Sequence, residues 1–214
     1  MGRTFIEKIK GDWKEVMNDS RFTVGKAPLD KEPSERFKKE ILIAEHSTIR
    51  SISVKWIWYS IKHWVGVHWV RHKWECFVRT QRSDRTGVPR DKMPQDEPQD
   101  FKGEANVQHQ IDSWRKRLCR QASEETREYA EDYKETLRYF EKEISDVLVP
   151  NCIYRCGCPE MKMSMKPCTF WGEFIRWCSR EKSKDPRICS IQERYDLYNE
   201  YFYAMRESLR KDEE

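Results

Sequence analysis

The segment Lys55–Lys73, KWIWYSIKHWVGVHWVRHK, constrains the fold of this chain more than any other part of its sequence. It is mostly apolar and carries four of the nine tryptophans, so burial of this segment has to organise the core. Its apolar run is shorter than the roughly 20 residues that span a bilayer, and charged side chains interrupt it. We therefore interpret the segment as a buried helix. The preceding STIRSISVKW, 47–56, alternates as a strand does.

A core of this kind is compatible with the overall composition. Apolar residues make up 37% of the 214 residues, charged residues 36% and aromatic residues 13%. The aromatic share argues against wholesale disorder. Because the net charge is only +4, any attraction of an anionic partner has to come from local clusters of basic residues.

The N-terminus predicts a soluble, cytoplasmic protein without a membrane partner. The opening MGRTFIEKIK lacks the apolar centre of a signal peptide, and no run of 18 apolar residues follows anywhere. Gly2 is not followed by the Ser or Thr of a myristoylation signal.

The remaining pattern predicts one α+β domain over 1–214, with a mixed or antiparallel sheet packed with helices. Residues 1–92 would contain the sheet and a basic motif, 93–103 a loop rich in Pro, Asp and Gln, and 104–214 a helix-rich half. In the first part, 4–10 predicts a strand, and Ser34 is a candidate N-cap of a helix. Helices are predicted at about 104–121, 123–145, 170–181 and 189–211, and an irregular Cys-rich segment at 150–168.

The basic motif follows the aromatic segment in HWVRHKWECFVRTQRSDRTG, His68–Gly87. Five Arg or Lys residues lie between Arg71 and Arg85, among hydroxyl and amide side chains. Arg offers a rigid fork of donors to a phosphate, and hydroxyls add neutral donors. Next to a buried aromatic segment, such groups would lie at the edge of a dry cavity, where hydrogen bonds are stronger. A solvated basic loop or a nucleic-acid contact would produce the same pattern.

Two co-spaced elements resemble the flavin-dependent thymidylate synthases. WVRHK followed by QRSDR is similar to the R-H-R…S-x-R signature of that family. His46-Ser47-Thr48 resembles the family's His-x-[Ser/Thr] element, and His46 lies at the family's spacing of 25 residues before Arg71. DVLVPNCIYR resembles a third family segment at Leu148, Pro150 and Tyr154.

The resemblance implies a thymidylate-synthase-like fold and a methyltransferase that acts on dUMP or a related pyrimidine nucleotide. It also implies FAD bound between the subunits of a homotetramer, with methylenetetrahydrofolate as the carbon donor and NADPH as the reductant. No enzyme nucleophile is expected, so no catalytic residue is assigned. The implied flavin-binding residues are His46, Thr48, Arg71, His72 and Lys73. The implied nucleotide-binding residues are His68, Gln81, Ser83 and Arg85.

Several positions depart from the family pattern. Lys73 stands where the family has Arg and loses the bidentate fork. His68 stands in place of a Gln, and Asp146 stands where an Arg would contact the uracil ring. The family's later Asn-x-Arg-Ser element is not recognisable in CTFWGEFIRWCSR. These departures leave open whether methyl or another one-carbon group is transferred.

Eight cysteines are many for a chain without a secretion signal, and reduced thiols or a metal site are favoured over disulfides. The candidate zinc ligands are Cys152, Cys156, Cys158 and Cys168. They could supply a tetrahedral site, but they lack paired C-x-x-C knuckles, so buried free thiols are the favoured interpretation. Cys76 is a candidate low-pKa thiol because basic residues flank it in the motif.

Two functions compete with the enzyme. A nucleic-acid- or zinc-binding module would use the basic motif and the Cys-rich segment, but the near-neutral net charge argues against nucleic acid as a partner. A non-catalytic descendant of the enzyme would keep the fold and nucleotide binding without the reaction.

Overall fold

The computed structural model describes residues 3–160 and 168–212. Within these residues the chain forms a four-stranded antiparallel sheet packed with helices, which confirms the predicted α+β class. The strands are β1 (Thr4–Lys10), β2 (Ser53–Lys62), β3 (Glu75–Val78) and β4 (Pro98–Asn106), in the spatial order β1-β2-β4-β3. The helices are α1 (Trp13–Thr23), α2 (Glu35–Ile43), α3 (His63–Trp69), α4 (Ser83–Thr86), α5 (Val107–Arg117), α6 (Glu124–Leu137), α7 (Lys142–Val147), α8 (Asn151–Arg155), α9 (Phe170–Lys182) and α10 (Ile191–Asp212). Two 3-10 turns lie at Ser47–Ser51 and Arg90–Lys92.

The inner face of the sheet carries an aromatic core. Trp56 and Trp58 are fully buried on the central strand β2. Trp69 of α3 lies 4.7 Å from Trp58 between ring centroids, and Trp114 of α5 lies 5.8 Å from Trp56. Buried aromatic pairs combine a large apolar area with a preferred geometry. This packing holds the end of α3 and the middle of α5 next to each other, and the candidate site is built from these two elements.

The predicted helix over 55–73 is wrong in its first half. Strand β2 continues to Lys62 and pairs with β1 on one side and β4 on the other, so it is an interior strand of the sheet. Burial alternates along it, with Val54, Trp56 and Trp58 buried. The strand predicted over 47–56 begins only at Ser53, because residues 47–51 form a 3-10 turn.

The loop predicted at 93–103 is also wrong in its second part, because β4 begins at Pro98. Gln99, Phe101, Gly103 and Ala105 alternate as buried positions along β4. At Gly103 an added Cβ would lie 2.4 Å from the Trp56 ring, so this strand accommodates the indole only with glycine there.

Other predicted elements are confirmed in full or in part. Strand 4–10 is β1, and Ser34 caps α2 by accepting a hydrogen bond from the backbone N–H of Phe37 at 3.2 Å. The helix predicted at 123–145 is divided into α6 and α7. The predicted irregular segment 150–168 contains α8, and its part at 161–167 lies outside the described residues. In the described ranges, no helix has the length and apolar character needed to traverse a lipid bilayer.

Candidate functional site

A cavity of about 400 Å³ lies where the chain leaves α3 and passes α5 and α8. Its wall is formed by Arg71, His72, Lys73, His109, Asp112, Ser113, Arg115, Lys116, Asn151, Tyr154 and Arg155. This volume is within the range of small-molecule sites. Three of the sequence-predicted cofactor residues, Arg71, His72 and Lys73, therefore share one cavity.

Helix α5 contributes one polar face to the wall. His109, Asp112, Ser113 and Lys116 recur at intervals of three or four residues, so they lie on the same side of the helix. The opposite side carries the buried Trp114. The amphipathic pattern that anchors the helix to the core thus also turns this polar face towards the cavity.

The cavity wall is positively charged. Among the described residues, Arg71, Lys73, Lys116 and Arg155 make no ion pair with a carboxylate, and Asp112 is the acid in the wall. Cations without local partners, gathered around a concave surface, concentrate positive potential and favour an anionic ligand. The chain as a whole is nearly neutral, so this potential is a property of the site.

Arg115 connects the cavity to the end of α2. Its guanidinium forms an ion pair with Glu45 and lies 3.6 Å from the ring centroid of Tyr154. The residue is buried, and its Nε has no hydrogen-bond partner among the described residues. This Nε–H is a buried donor without a partner, which costs free energy.

His72 lies between the cavity and the aromatic core. Its Nε2 accepts a hydrogen bond from Arg117 Nε at 2.8 Å, and its ring centroid lies 5.0 Å from that of Trp74. Burial lowers the pKa of His72 to about 4, and the charges of Arg117 and Lys116 act in the same direction. His72 is therefore neutral at physiological pH.

The structure places His46 and Thr48 next to this wall but not in it. His46 caps the 3-10 turn, and its Nδ1 lies 3.0 Å from Thr48 Oγ1. Thr48 is buried, and its hydroxyl also lies 2.8 Å from Ser20 Oγ of α1. Glu45, one residue earlier, forms the ion pair with Arg115. The flavin contacts implied for His46 and Thr48 stay predictions.

His68 and the later nucleotide residues lie outside the cavity wall. His68 Nδ1 lies 2.7 Å from Thr126 Oγ1 at the start of α6. Ser83 and Arg85 lie on the exposed α4, where Ser83 Oγ accepts a hydrogen bond from Arg90 N at 3.0 Å. The Arg85 side chain is 69% exposed. Gln81, just before α4, is half-buried. In one chain, Arg71 and Arg85 therefore do not share this cavity, and the nucleotide roles stay predictions.

The cysteines predicted as candidate zinc ligands are Cys152, Cys156, Cys158 and Cys168. Among the described residues, no group of three or more His, Cys, Asp or Glu side chains is placed to hold a metal ion. The thiol of Cys156 points to the carbonyl oxygens of Pro186 and Arg187, at 3.9 and 3.5 Å. Burial raises the pKa of Cys152 to about 12, with smaller contributions from nearby thiols such as Cys119. The described residues do not form the predicted site.

The low pKa predicted for the thiol of Cys76 is wrong. Burial raises its pKa, and the neighbouring carboxylate of Glu75 raises it further. The basic residues that flank Cys76 in sequence are not among the causes of the shift.

Sequence reasoning missed most of the residues that α5 and α8 contribute to the cavity wall, and it missed Arg117, which contacts His72. Lys116, Arg117 and Arg155 carry no motif of their own, and charged residues on a helix usually face solvent. Tyr154 is the exception, since the third family-like segment pointed to it.

Comparison with solved structures relates this fold to enzymes of nucleotide methylation. The chain is similar to the crystal structure of the UMP/dUMP methylase PolB from Streptomyces cacaoi bound with 5-Br dUMP, with a TM-score of 0.55 at 10% identity, over 67% of this chain and 93% of that chain. It is also similar to the flavin-dependent thymidylate synthase ThyX from Helicobacter pylori in two structures with FAD and dUMP. Their TM-scores are 0.53 and 0.54 at 10% and 11% identity, over 65% and 66% of this chain and 98% of each of those chains.

These likenesses show that about two thirds of this chain shares its fold with those structures. No protein-family model and no curated protein matches the chain. At identities of 10–11% the function has to be argued from the site itself.

Proposed function

We propose that this chain is a flavin-dependent enzyme that transfers a one-carbon unit from methylenetetrahydrofolate to C5 of dUMP or a close pyrimidine analogue. One observation carries the proposal. The three residues that stand at the positions of the family's R-H-R element, Arg71, His72 and Lys73, line one positively charged cavity. They do so in a chain whose fold is also found in structures complexed with FAD and dUMP.

The residues present fit a phosphorylated cofactor such as FAD. The cations without carboxylate partners in the cavity wall would bind phosphate oxygens. Bound FAD would supply the redox chemistry, with NADPH as the proposed reductant. The chain's own contribution would be binding and orientation of the reactants, which can account for a large part of a rate enhancement.

The exposed α4 fits a site completed by a second subunit. Ser83 and Arg85 offer a hydroxyl and a guanidinium, a combination suited to a nucleotide phosphate. In the proposed homotetramer, α4 of one subunit would supply these groups to the cavity of its neighbour. This arrangement would also account for the open exposure of Arg85 in a single chain.

An absorption spectrum of the purified protein, before and after incubation with FAD, tests the proposal. We expect a flavin spectrum that is lost or weakened in Arg71→Ala. Arg79→Ala is the matched control, because Arg79 belongs to the same basic motif but lies outside the cavity wall. Loss of one charge-assisted hydrogen bond, worth about 1.5–3 kcal/mol, would weaken FAD binding by at least about tenfold.

A colourless protein that cannot be reconstituted with FAD would refute the proposal. Incubation with dUMP, labelled methylenetetrahydrofolate and NADPH then tests the reaction by mass spectrometry of the nucleotide. Binding of dUMP without a labelled product would identify a non-catalytic descendant. Stoichiometric zinc together with salt-sensitive nucleic-acid binding, and no flavin, would favour a nucleic-acid-binding module.

A further inference from the structure

Arg117 and His72 form a contact that no sequence motif predicts. Arg117 is the last residue of α5, and His72 lies 45 residues earlier, just after α3. Arg117 Nε donates to His72 Nε2 at 2.8 Å, and Arg117 Nη2 donates to the carbonyl oxygen of His68 at 2.6 Å. The guanidinium also lies 6.0 Å from the ring centroid of Trp69. Three contacts to the segment around α3 therefore hold this guanidinium in place.

The direction of the Arg117–His72 hydrogen bond determines where the imidazole proton lies. A guanidinium stays protonated in proteins and has donors only. Its Nε–H can therefore bond to Nε2 only if Nε2 presents a lone pair. The single proton of the neutral imidazole must then be on Nδ1.

We propose that Arg117 is a positioning residue that keeps His72 as the neutral Nδ1–H tautomer, and that this N–H is the donor that His72 offers to a ligand in the cavity. His72 lines the cavity, and its Nδ1 has no hydrogen-bond partner in the described part of the chain. Arg117 does not line the cavity, so it acts through His72.

The surrounding charges oppose protonation of Nε2. Arg117 and Lys116 face His72 from α5, Arg71 and Lys73 flank it in the chain, and Arg155 faces the same cavity from α8. The acid in the described wall is Asp112, and it is not among the causes that shift the pKa of His72. Protonation of Nε2 would place a positive charge on the imidazole beside this group of cations, and it would break the bond from Arg117.

The tautomer restricts what His72 can bind. A neutral Nδ1–H donates one hydrogen bond to an acceptor, such as a ring carbonyl, an unprotonated ring nitrogen or a phosphate oxygen. It cannot serve as a general base, because Nε2 is occupied and Nδ1 carries the proton. The identity of that acceptor, on FAD or on the pyrimidine, rests on the proposed function, whereas the tautomer depends only on this chain.

Nuclear magnetic resonance of the 214-residue chain, labelled with ¹⁵N in its histidine rings, tests the tautomer directly. We expect a His72 signal with a protonated Nδ1 and a bare Nε2 that stays unchanged from pH 8 to about pH 5. His72→Asn assigns the signal by its disappearance. In Arg117→Gln we expect a mixture of tautomers and titration closer to the ordinary pKa. Lys116→Gln is the matched control, because it removes a neighbouring charge but not the hydrogen bond, so Nδ1 should stay protonated.

A wild-type His72 protonated on Nε2, or titrating near its ordinary pKa, would overturn the proposal. Full retention of the Nδ1–H tautomer in Arg117→Gln would show that Arg117 does not determine the tautomer of His72. If Arg117→Gln does not fold, the wild-type spectrum still decides the tautomer, because the bond from Arg117 is inconsistent with a protonated Nε2.

Titration of the labelled protein with FAD and then with dUMP tests the donor role. We expect one of the two ligands to shift the Nδ1–H resonance. Arg117→Gln should weaken the binding of that ligand about five- to tenfold, as loss of one well-placed hydrogen bond would. Binding of both ligands without any change at Nδ1–H would show that His72 is not the donor. If neither binds, the proposed function fails, while the ligand-free spectrum still decides the tautomer.

Discussion

Glu45 and Arg115 form a largely buried ion pair that joins the end of α2 to the wall of the candidate site. Their side chains are 21% and 11% exposed, and Arg115 Nη1 donates to Glu45 Oε2 at 3.2 Å. Glu45 adopts a left-handed backbone conformation with φ of +48°, which is uncommon for a residue other than glycine. The ion pair therefore links His46, the next residue, to α5.

Removal of Glu45 should destabilise the protein because it leaves the Arg115 charge buried without its partner. We expect Glu45→Ala to lower the free energy of unfolding by about 2 kcal/mol, less than for a fully buried pair. Arg36→Ala breaks the exposed pair with Glu40 and should change stability by no more than about 0.5 kcal/mol. Urea unfolding of both variants measures the difference, and equal effects would mean that the Glu45–Arg115 pair has no special role.

Gly103 should not tolerate even a methyl group. An added Cβ would lie 2.4 Å from the buried Trp56 ring, and the aromatic neighbours of Trp56 leave it little room to move. Gly103→Ala should therefore destabilise the protein by about 1–3 kcal/mol or more. Gly172→Ala is the matched control, since its Cβ would meet nothing nearer than 3.6 Å in α9, and alanine there should stabilise by up to about 1 kcal/mol. Thermal unfolding of the two variants should shift in opposite directions.

The sequence predicted the fold class and several element boundaries, but it placed only the first residues of β2 in a strand and missed β4. Ser34 was recognisable as a cap because its short side chain accepts a local hydrogen bond, which requires no knowledge of the tertiary structure. Most of strand β2 could not be recognised from the sequence, because Ile57 and Tyr59 on its outer face are apolar as well. They turn an alternating pattern into a continuous apolar run, which periodicity alone does not distinguish from a buried helix.

The same limit applies to the site. Arg71, His72 and Lys73 were found because a contiguous motif carries them. Arg117 and Lys116 were not, because their relation to His72 arises only when α5 packs against α3 through Trp114 and Trp69. From the sequence, the polar face of α5 is indistinguishable from a solvated helix surface.

The exposed Arg85 should affect ligand binding without affecting the stability of the chain. Its side chain lies 3.7 Å from Asp84 and is 69% exposed, so Arg85→Ala should change the free energy of unfolding by less than about 0.5 kcal/mol. If α4 completes the site of a neighbouring subunit as proposed, the same variant should weaken dUMP binding about tenfold. Light scattering should then show a homotetramer, and Lys92→Ala, an exposed change just beyond α4, should leave dUMP binding unchanged. An unaltered affinity in Arg85→Ala would exclude Arg85 from the nucleotide site.

The fully buried Lys134 should make stability depend on pH. Its Nζ donates to the carbonyl oxygen of Ser145 at 2.6 Å and to Asn199 Oδ1 at 2.7 Å, which joins α6 to α7 and α10. Burial lowers its pKa from 10.5 to about 7; Arg138 and Lys142 act in the same direction, and Asp146 opposes them. Between these two pH values the unfolded chain binds more protons at this position than the folded chain, so the free energy of unfolding should increase as pH rises.

Lys134→Met removes the titrating group and should abolish this contribution. The wild type should gain a few kcal/mol relative to Lys134→Met between pH 6.5 and pH 9, since each unit of pKa shift corresponds to about 1.4 kcal/mol. Urea unfolding of both proteins at both pH values gives the free energies of unfolding. Subtracting the value for Lys134→Met from that for the wild type cancels the titration of the other groups. Lys182→Met, which removes an exposed lysine paired with Glu200, should keep the wild-type dependence. Parallel pH profiles for the wild type and Lys134→Met would show that Lys134 keeps its proton in the folded protein, held by Ser145, Asn199 and the rings of Tyr198 and Phe202.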